Sequence, residues 1–223
     1  MSNALCGTCP NRDVGFCAHG IAERRFRIVR RGQLITAQNE PSQEVFVLCE
    51  GWAAQFMALA DTRRQILGFL LPGDMLTPTG LVSDRIDCSV LALTDVQVNV
   101  SSRAAVATRF EREAWLQRII SESITEKLNE TRRLLTIVAQ GSAEERIAFL
   151  ILHLSHRIKR RSVVREERYF FPLLQQHIAD ALGLTPVHVS RVLASFRARG
   201  WMQIYDGVLQ ILNRQELERI GSF

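Results

Sequence analysis

The chain has 223 residues, a formal net charge of +5 and a pI near 9.3. At roughly 100 to 200 residues per domain, we expect two domains. No apolar run reaches the ~20 residues of a membrane span, and no basic-then-apolar start indicates a signal peptide, so we expect a cytoplasmic protein. The charge comes almost wholly from arginine, which binds phosphate and guanine well and so favours a polyanionic partner.

Residues 1–25 form a cysteine-bearing segment that is too small and polar to have its own core. Cys6 and Cys9 are separated by two residues, so both sulfurs can face one point, and the loop to Cys17 can fold a third thiolate over it. In a cytoplasmic chain such thiols are first interpreted as metal or redox sites. The candidates for a fourth ligand are Cys49, Cys88 and His19. The residues alone leave open an iron–sulfur cluster, a zinc ion and a segment that binds no metal.

Residues 26–102 consist of short runs of β-branched and apolar residues that are broken by turn sequences. The predicted strands are Leu34–Ala37, Glu44–Cys49, Trp52–Ala58, Gln65–Leu71 and Cys88–Val100. Strands this short and evenly spaced predict an antiparallel roll or barrel of about eight strands.

Residues 103–140 predict one long helix, because neither proline nor glycine interrupts the run from Ala104 to Gln140. A seam of side chains recurs along it at alternating steps of four and three, formed by Ile124, Leu128, Thr131, Leu135 and Val138. This spacing is typical of a two-stranded coiled coil. The seam packs either against its own domain or against a second copy of the chain. We favour a homodimer, because the DNA-binding element predicted below suits two-fold symmetry.

Residues 141–223 predict a DNA-binding domain that begins after the break at Gln140–Ser142. Ser142 and Glu145 form a capping box for a helix that runs to about Arg161. This break is the predicted domain boundary.

The stretch 172–199 predicts two short helices held at a fixed angle. The first ends at Gly183, which can adopt a left-handed conformation, and the second starts at Pro186 with Thr185 as its N-cap. Ala179 supplies the small residue that a helix-turn-helix needs where its helices cross.

The second of these helices has the two faces that a DNA-reading helix requires. Its predicted buried stripe is Val189, Val192, Leu193 and Phe196. The candidate DNA-binding residues are Thr185, Val187, His188, Ser190, Arg191 and Arg197. A basic wing from Trp201 to Leu212, with its turn at Asp206–Gly207, is predicted to follow. An ordinary helical hairpin with a solvated polar face is the alternative.

Catalytic signatures are missing from the sequence. There is no nucleophile elbow, phosphate loop or HExxH pattern, so we expect that the chain is not an enzyme. His153 and His156 have the spacing to share a metal, but solvated or packed histidines fit this pattern better.

The order of these elements resembles the Crp/Fnr superfamily of bacterial transcription regulators over nearly the whole chain. The matching motifs are RRGQLI near residue 30, CEGWA at 49–53, LPGDML at 71–76, ALTDVQV at 92–98, SAEERIAFLI at 142–151 and GLTPVHVSRVL at 183–193. The resemblance implies an α+β fold, with an N-terminal antiparallel β-roll of the cyclic-nucleotide-binding, jelly-roll type, a long dimerisation helix and a C-terminal winged helix-turn-helix. It implies a homodimer that binds palindromic double-stranded DNA, with RNA polymerase as a further partner. It places base reading on Val187, Ser190 and Arg191, although many members carry glutamate where this chain has Val187.

The family's cyclic nucleotide is held by an arginine and a Gly-Glu pair, and this chain lacks both. Residues 77–89 read TPTGLVSDRIDCS, with Ile86 where the arginine should be and Arg85 on the opposite side of an alternating strand. We therefore argue against a cyclic nucleotide ligand.

The N-terminal cysteines resemble the oxygen-sensing Fnr branch, in which three clustered cysteines and one distant cysteine hold a [4Fe-4S] cluster. The distant position falls near Val98 or Asn99, so Cys88 becomes the candidate fourth ligand, roughly 30 Å away if one straight strand joins them. The implied metal site is Cys6, Cys9, Cys17 and Cys88, with Cys49 as the next candidate. It would make the regulator respond to oxygen, NO or redox state. The alternative is the same architecture responding to haem or a small organic ligand, with the cysteines binding zinc or nothing.

Overall fold

A computed structural model describes residues 25–221 of the chain, apart from Ser42, Asp61, Thr62, Val82, Asp84, Ser162, Val163 and Arg165. The chain divides into two units between Asn129 and Glu130, inside a long helix and before the boundary expected at Gln140–Ser142. None of the helices in the described ranges is long and apolar enough to cross a membrane.

The first unit contains seven strands within the described residues, and all of their pairings are antiparallel. They are β1 Arg25–Val29, β2 Leu34–Thr36, β3 Glu44–Glu50, β4 Ala53–Ala58, β5 Arg64–Leu70, β6 Ser89–Ala92 and β7 Val96–Ser102. They form two sheets, in the orders β1-β7-β3 and β2-β6-β4-β5. This arrangement confirms the predicted antiparallel roll.

The alternation of side chains along β3 explains how the roll has two apolar faces. Phe46 and Leu48 point into the core between the sheets, while Val45 and Val47 belong to a second cluster on the outer face. A strand that is apolar on both faces is buried on both faces. The outer face is therefore available for helices.

The prediction of a single strand from Cys88 to Val100 is wrong. The structure has two strands, β6 and β7, which lie in different sheets on either side of a turn at Leu93–Asp95. Gly51 packs against this turn with φ +83°, and a Cβ there would lie 2.4 Å from the carbonyl oxygen of Asp95. The turn sequence Thr94-Asp95 and this close backbone approach separate the end of β6 from the start of β7.

The continuous helix expected over residues 103–140 is also interrupted. Helix α1 spans Arg103–Arg112 and helix α2 spans Ala114–Gln140, and Glu113 between them has extended backbone angles. The break allows Val106 of α1 and Leu116 of α2 to pack on the outer face of β3 together. Burial of both apolar stripes on one sheet thus favours two helices over one.

The second unit contains four further helices and a small sheet in the described residues. The elements are α3 Ala143–Lys159, β8 Arg168–Phe170, α4 Gln175–Leu182, α5 Pro186–Ala198, β9 Met202–Tyr205, β10 Val208–Ile211 and α6 Arg214–Gly221. The predicted capping box is confirmed, because the backbone N–H of Ser142 donates to Glu145 Oε2 at 2.6 Å and the N–H of Glu145 donates to Ser142 Oγ at 3.3 Å. The core is formed by buried side chains that include Ile147, Tyr169 and Leu209.

Candidate nucleic-acid interface

The turn between α4 and α5 has the predicted backbone conformation. Gly183 adopts φ 63° and ψ 37°, and its N–H donates to the carbonyl oxygen of Ala179. The start of α4 has a cap that the sequence analysis missed, because the Leu174 N–H donates to Nδ1 of the buried His177 at 3.2 Å. A histidine three residues into an apolar helix gives no clear capping signal in the sequence.

Helix α5 begins where the sequence predicts. Thr185 Oγ1 accepts a hydrogen bond from the N–H of His188 at 3.2 Å, and Pro186 occupies the first helical position. A capped N-terminus with proline in the first turn fixes the direction in which the helix leaves the turn.

One face of α5 is anchored in the core of the second unit. Val189 and Phe196 are completely buried and Val192 nearly so, while Leu193 is half-buried. The Phe196 ring also contacts the ring of Trp201, with centroids 5.4 Å apart. Since these side chains hold the helix from behind, its opposite face has a fixed orientation.

The opposite face of α5 carries the predicted DNA-binding residues. Val187 is 66% exposed, and His188, Ser190 and Arg191 are exposed with it. Arg197 lies about 9 Å further along the helix axis than Arg191, at a rise of 1.5 Å per residue. Its guanidinium donates to the carbonyl oxygen of Ile204 at 3.4 Å, which places this arginine beside the wing.

The wing is a two-stranded hairpin of β9 and β10, as predicted. Asp206 and Gly207 have φ values of 51° and 72°, the positive pair that a tight hairpin turn requires. The expectation of a basic wing is wrong, because residues 201–212 contain neither lysine nor arginine. The positive charge near the wing comes instead from the end of α5.

Arg199 is the basic residue near the wing that the sequence analysis missed. Its guanidinium lies over the Trp201 ring at 4.8 Å and forms an ion pair with Glu144 at 3.1 Å. Both contacts come from residues outside α5, so the pattern of the helix alone could not predict them.

The predicted seam on α2 is exposed to solvent in the single chain. Ile124, Leu128 and Leu135 are 43%, 47% and 68% exposed. Apolar side chains that recur at coiled-coil spacing and remain exposed indicate a surface for association.

Of the cysteines considered for the metal site, the structure describes Cys49 and Cys88. Cys6, Cys9 and Cys17 lie outside the described residues, as does His19, and the described residues contain no group of three or more metal-binding side chains. Cys88 is buried and accepts a contact from Gln55 Nε2 at 3.6 Å. Burial and the nearby Asp87 carboxylate raise the pKa of Cys88 to about 12. A cysteine ligand must be a thiolate, so iron binding at Cys88 would have to release this proton.

The residues expected near a cyclic nucleotide have the predicted orientation. Ile86 is buried, whereas Arg85 is exposed and donates to the carbonyl oxygen of Asn39 at 2.7 Å. Arg85 is therefore held on the surface of the roll.

The two histidines of α3 have different surroundings. His153 stacks on Phe149 with ring centroids 5.8 Å apart and lies 3.4 Å from Glu130, while His156 is exposed. Packing and solvation thus account for both.

Comparison with known proteins agrees with this architecture. Residues 145–220 match the Crp-like helix-turn-helix domain, and residues 26–113 match the cyclic nucleotide-binding domain. The chain is 28% identical to the nitrogen fixation regulation protein FixK of Bradyrhizobium diazoefficiens, over 98% of this chain and 94% of that protein. It is 26% identical to the transcriptional activator protein FnrL of Cereibacter sphaeroides, over 87% and 82% of the two chains.

A solved structure shows the same fold. The structure of FixK2 from Bradyrhizobium japonicum has a TM-score of 0.80 and 24% identity, covering 89% of this chain and 98% of that chain. The matched helix-turn-helix domain and these relatives, one a nitrogen fixation regulation protein and one a transcriptional activator protein, bear out the expectation that the chain is not an enzyme. The chain belongs to the Crp/Fnr superfamily of bacterial transcription regulators.

Proposed function

We propose that this regulator acts as a homodimer on a palindromic site in double-stranded DNA. The observation that carries the proposal is helix α5, which is anchored by buried side chains and presents an exposed face. Two copies joined along the exposed seam of α2 would present two such helices. A two-fold pair of recognition helices suits half-sites whose centres are about one helical turn apart.

The exposed side chains of α5 divide by chemistry into base readers and phosphate contacts. We assign Arg191 to guanine or a phosphate, Ser190 to the backbone or a base edge, and Val187 to a thymine methyl group. The remaining candidates, Thr185, His188 and Arg197, are assigned to phosphates, since the first two are at a helix N-terminus.

Substitution of Arg191 tests this assignment. Arg191→Ala should cost about 1 to 3 kcal/mol of binding free energy on a duplex that the wild-type protein selects, and should relax sequence preference at one base pair. Equal weakening on every sequence would assign Arg191 to phosphate instead. Arg219→Ala is a matched control, because Arg219 is 64% exposed and pairs with Glu216 of its own helix.

A bacterial regulator of this type meets its DNA in the cytoplasm, where RNA polymerase is also present. We therefore propose a cytoplasmic location and RNA polymerase as a partner. Recovery of polymerase subunits on DNA carrying the selected palindrome, only when the protein is added, would support the partner assignment.

We further propose that Cys6, Cys9, Cys17 and Cys88 hold a [4Fe-4S] cluster that makes DNA binding sensitive to oxygen, NO or redox state. The spacing of the first three thiols supports a shared metal centre, and FnrL is among the relatives. When bound, such a cluster supplies a redox-active centre that small oxidants can attack. Cys88 is the weakest member, since it must lose a proton from a buried site, and Cys49 is half-buried on β3 as its competitor.

Anaerobic reconstitution tests the cluster. Cys9→Ser and Cys17→Ser should abolish the cluster absorption and change operator affinity. The sensing proposal is wrong if both variants keep wild-type absorption and affinity. Cys88→Ser and Cys49→Ser then identify the fourth ligand, and retention of absorption in both would assign it to a non-cysteine group.

A further inference from the structure

Arg146, near the start of α3, joins the hinge after α2 to the turn of the helix-turn-helix. Its Nε donates to the carbonyl oxygen of Gly141 at 2.8 Å, and its Nη1 donates to the carbonyl oxygen of Leu182 at 3.0 Å. These carbonyls lie at the C-terminal ends of α2 and α4, where backbone oxygens lack partners within their own helices. One partly buried side chain therefore connects two helix ends that are far apart in sequence.

The surroundings of Arg146 leave little freedom at this junction. A Cβ on Gly141 would lie 2.7 Å from the carbonyl oxygen of Ile137, so the hinge packs directly on the last turn of α2. A Cβ on Gly183 would lie 3.8 Å from Val138 Cγ1 and 3.9 Å from Arg146 Nη1. The turn before the recognition helix therefore lies within reach of one added methyl group from both the end of α2 and the guanidinium.

The guanidinium is well suited to this position. It is planar, remains charged, and directs several N–H donors in fixed directions, so one group can bind two separate carbonyls. Lysine keeps the charge, but its compact ammonium lacks this fork. The contact geometry thus depends on arginine and not on positive charge alone.

We propose that Arg146 is a positioning residue for DNA recognition, which fixes α4 and α5 relative to the end of α2 and so sets the spacing of the two recognition helices. The inference rests on the proposed homodimer. In a two-fold dimer, any rotation of α5 about the end of α2 occurs in both copies. The distance between the two helices then no longer matches successive major grooves, while each single helix still fits its own half-site.

Arg146→Gln and Arg146→Lys can be compared with wild type and with Arg219→Gln, which removes the same charge from an exposed arginine paired within its own helix. Three duplexes are needed: a single half-site, the palindrome that wild type selects, and that palindrome with one base pair inserted. Arg146→Gln should bind the half-site as wild type does and lose about tenfold on the palindrome, the effect of one lost hydrogen bond from a charged group. The factor by which Arg146→Gln prefers the selected palindrome over the palindrome with the inserted base pair should fall by the same amount. Arg146→Lys should show losses between those of wild type and Arg146→Gln.

The spacing measurement separates positioning from simple stabilisation of the fold. If both Arg146 variants keep wild-type discrimination, or lose half-site and palindrome binding equally, the proposal is wrong. Should Arg146→Gln fail to fold, Arg146→Lys alone decides by the same criterion. A wild-type protein that is indifferent to half-site spacing would contradict the proposed dimeric function itself, and the inference would fall with it.

Discussion

Leu128→Glu should convert the proposed dimer into a monomer. Leu128 lies in the middle of the seam and is 47% exposed in the single chain, so a dimer would bury the remaining half of its side chain. Complete burial of a leucine contributes about 1.5 to 3 kcal/mol, so burial of the remaining half of Leu128 in both copies contributes about 2 kcal/mol per dimer. Two facing carboxylates in the same apolar seam would add several kcal/mol of desolvation and repulsion.

The lost leucine burial and the facing carboxylates together cost about 5 kcal/mol or more, which raises the dissociation constant of the dimer by more than about a thousandfold. Sedimentation equilibrium at micromolar concentration should then show a dimer for wild type and a monomer for the variant. Leu34→Glu is the matched control, since Leu34 lies on β2 and is 50% exposed. If Leu128→Glu remains a dimer, the seam is not the interface and α2 has another role.

Three further changes test the packing within each of the two units. Gly51→Ala should cost about 2 to 4 kcal/mol in denaturant unfolding, because φ is +83° and the added Cβ would collide with the Asp95 carbonyl; little change would contradict this contact. Glu130→Gln should destabilise the second unit by about 2 to 4 kcal/mol, since the buried Arg157 would lose an ion pair of 3.1 Å. A variant as stable as wild type would show that other partners stabilise the charge of Arg157. Glu167 should make the second unit less stable in acid. Burial raises its pKa, but hydrogen bonds from Lys159, Tyr169 and Arg214 outweigh this and lower the pKa to about 2. Glu167 should therefore contribute about 1 to 2 kcal/mol, discounted for solvent screening, to the free energy of unfolding above pH 4.5, and this contribution should be lost as the pH falls towards 2. Glu167→Gln should lack this part of the pH dependence.

Local backbone chemistry explains why the helix-turn-helix could be predicted from the sequence. Gly183, Thr185 and Pro186 each act within a few residues of their own position, and the structure places all three as expected. The stripe of Val189, Val192 and Phe196 follows from helical periodicity in the same way.

Features that depend on distant parts of the chain could not be predicted so well. The break at Glu113 has no glycine or proline to mark it, because it results from packing two helices on the outer face of β3. The assignment of β6 and β7 to different sheets depends on pairing with β4 and β3. Arg146 appeared in the sequence only as one basic residue of an amphipathic helix, since both of its carbonyl partners lie outside that helix.

Selection from a pool of random duplex DNA by the purified wild-type protein shows whether two copies of α5 bind one palindromic site. We expect enrichment of an inverted repeat whose half-site centres are about one helical turn apart, because two anchored copies of α5 would meet successive major grooves. Enrichment of a single unrepeated motif, or of no motif at all, would contradict it.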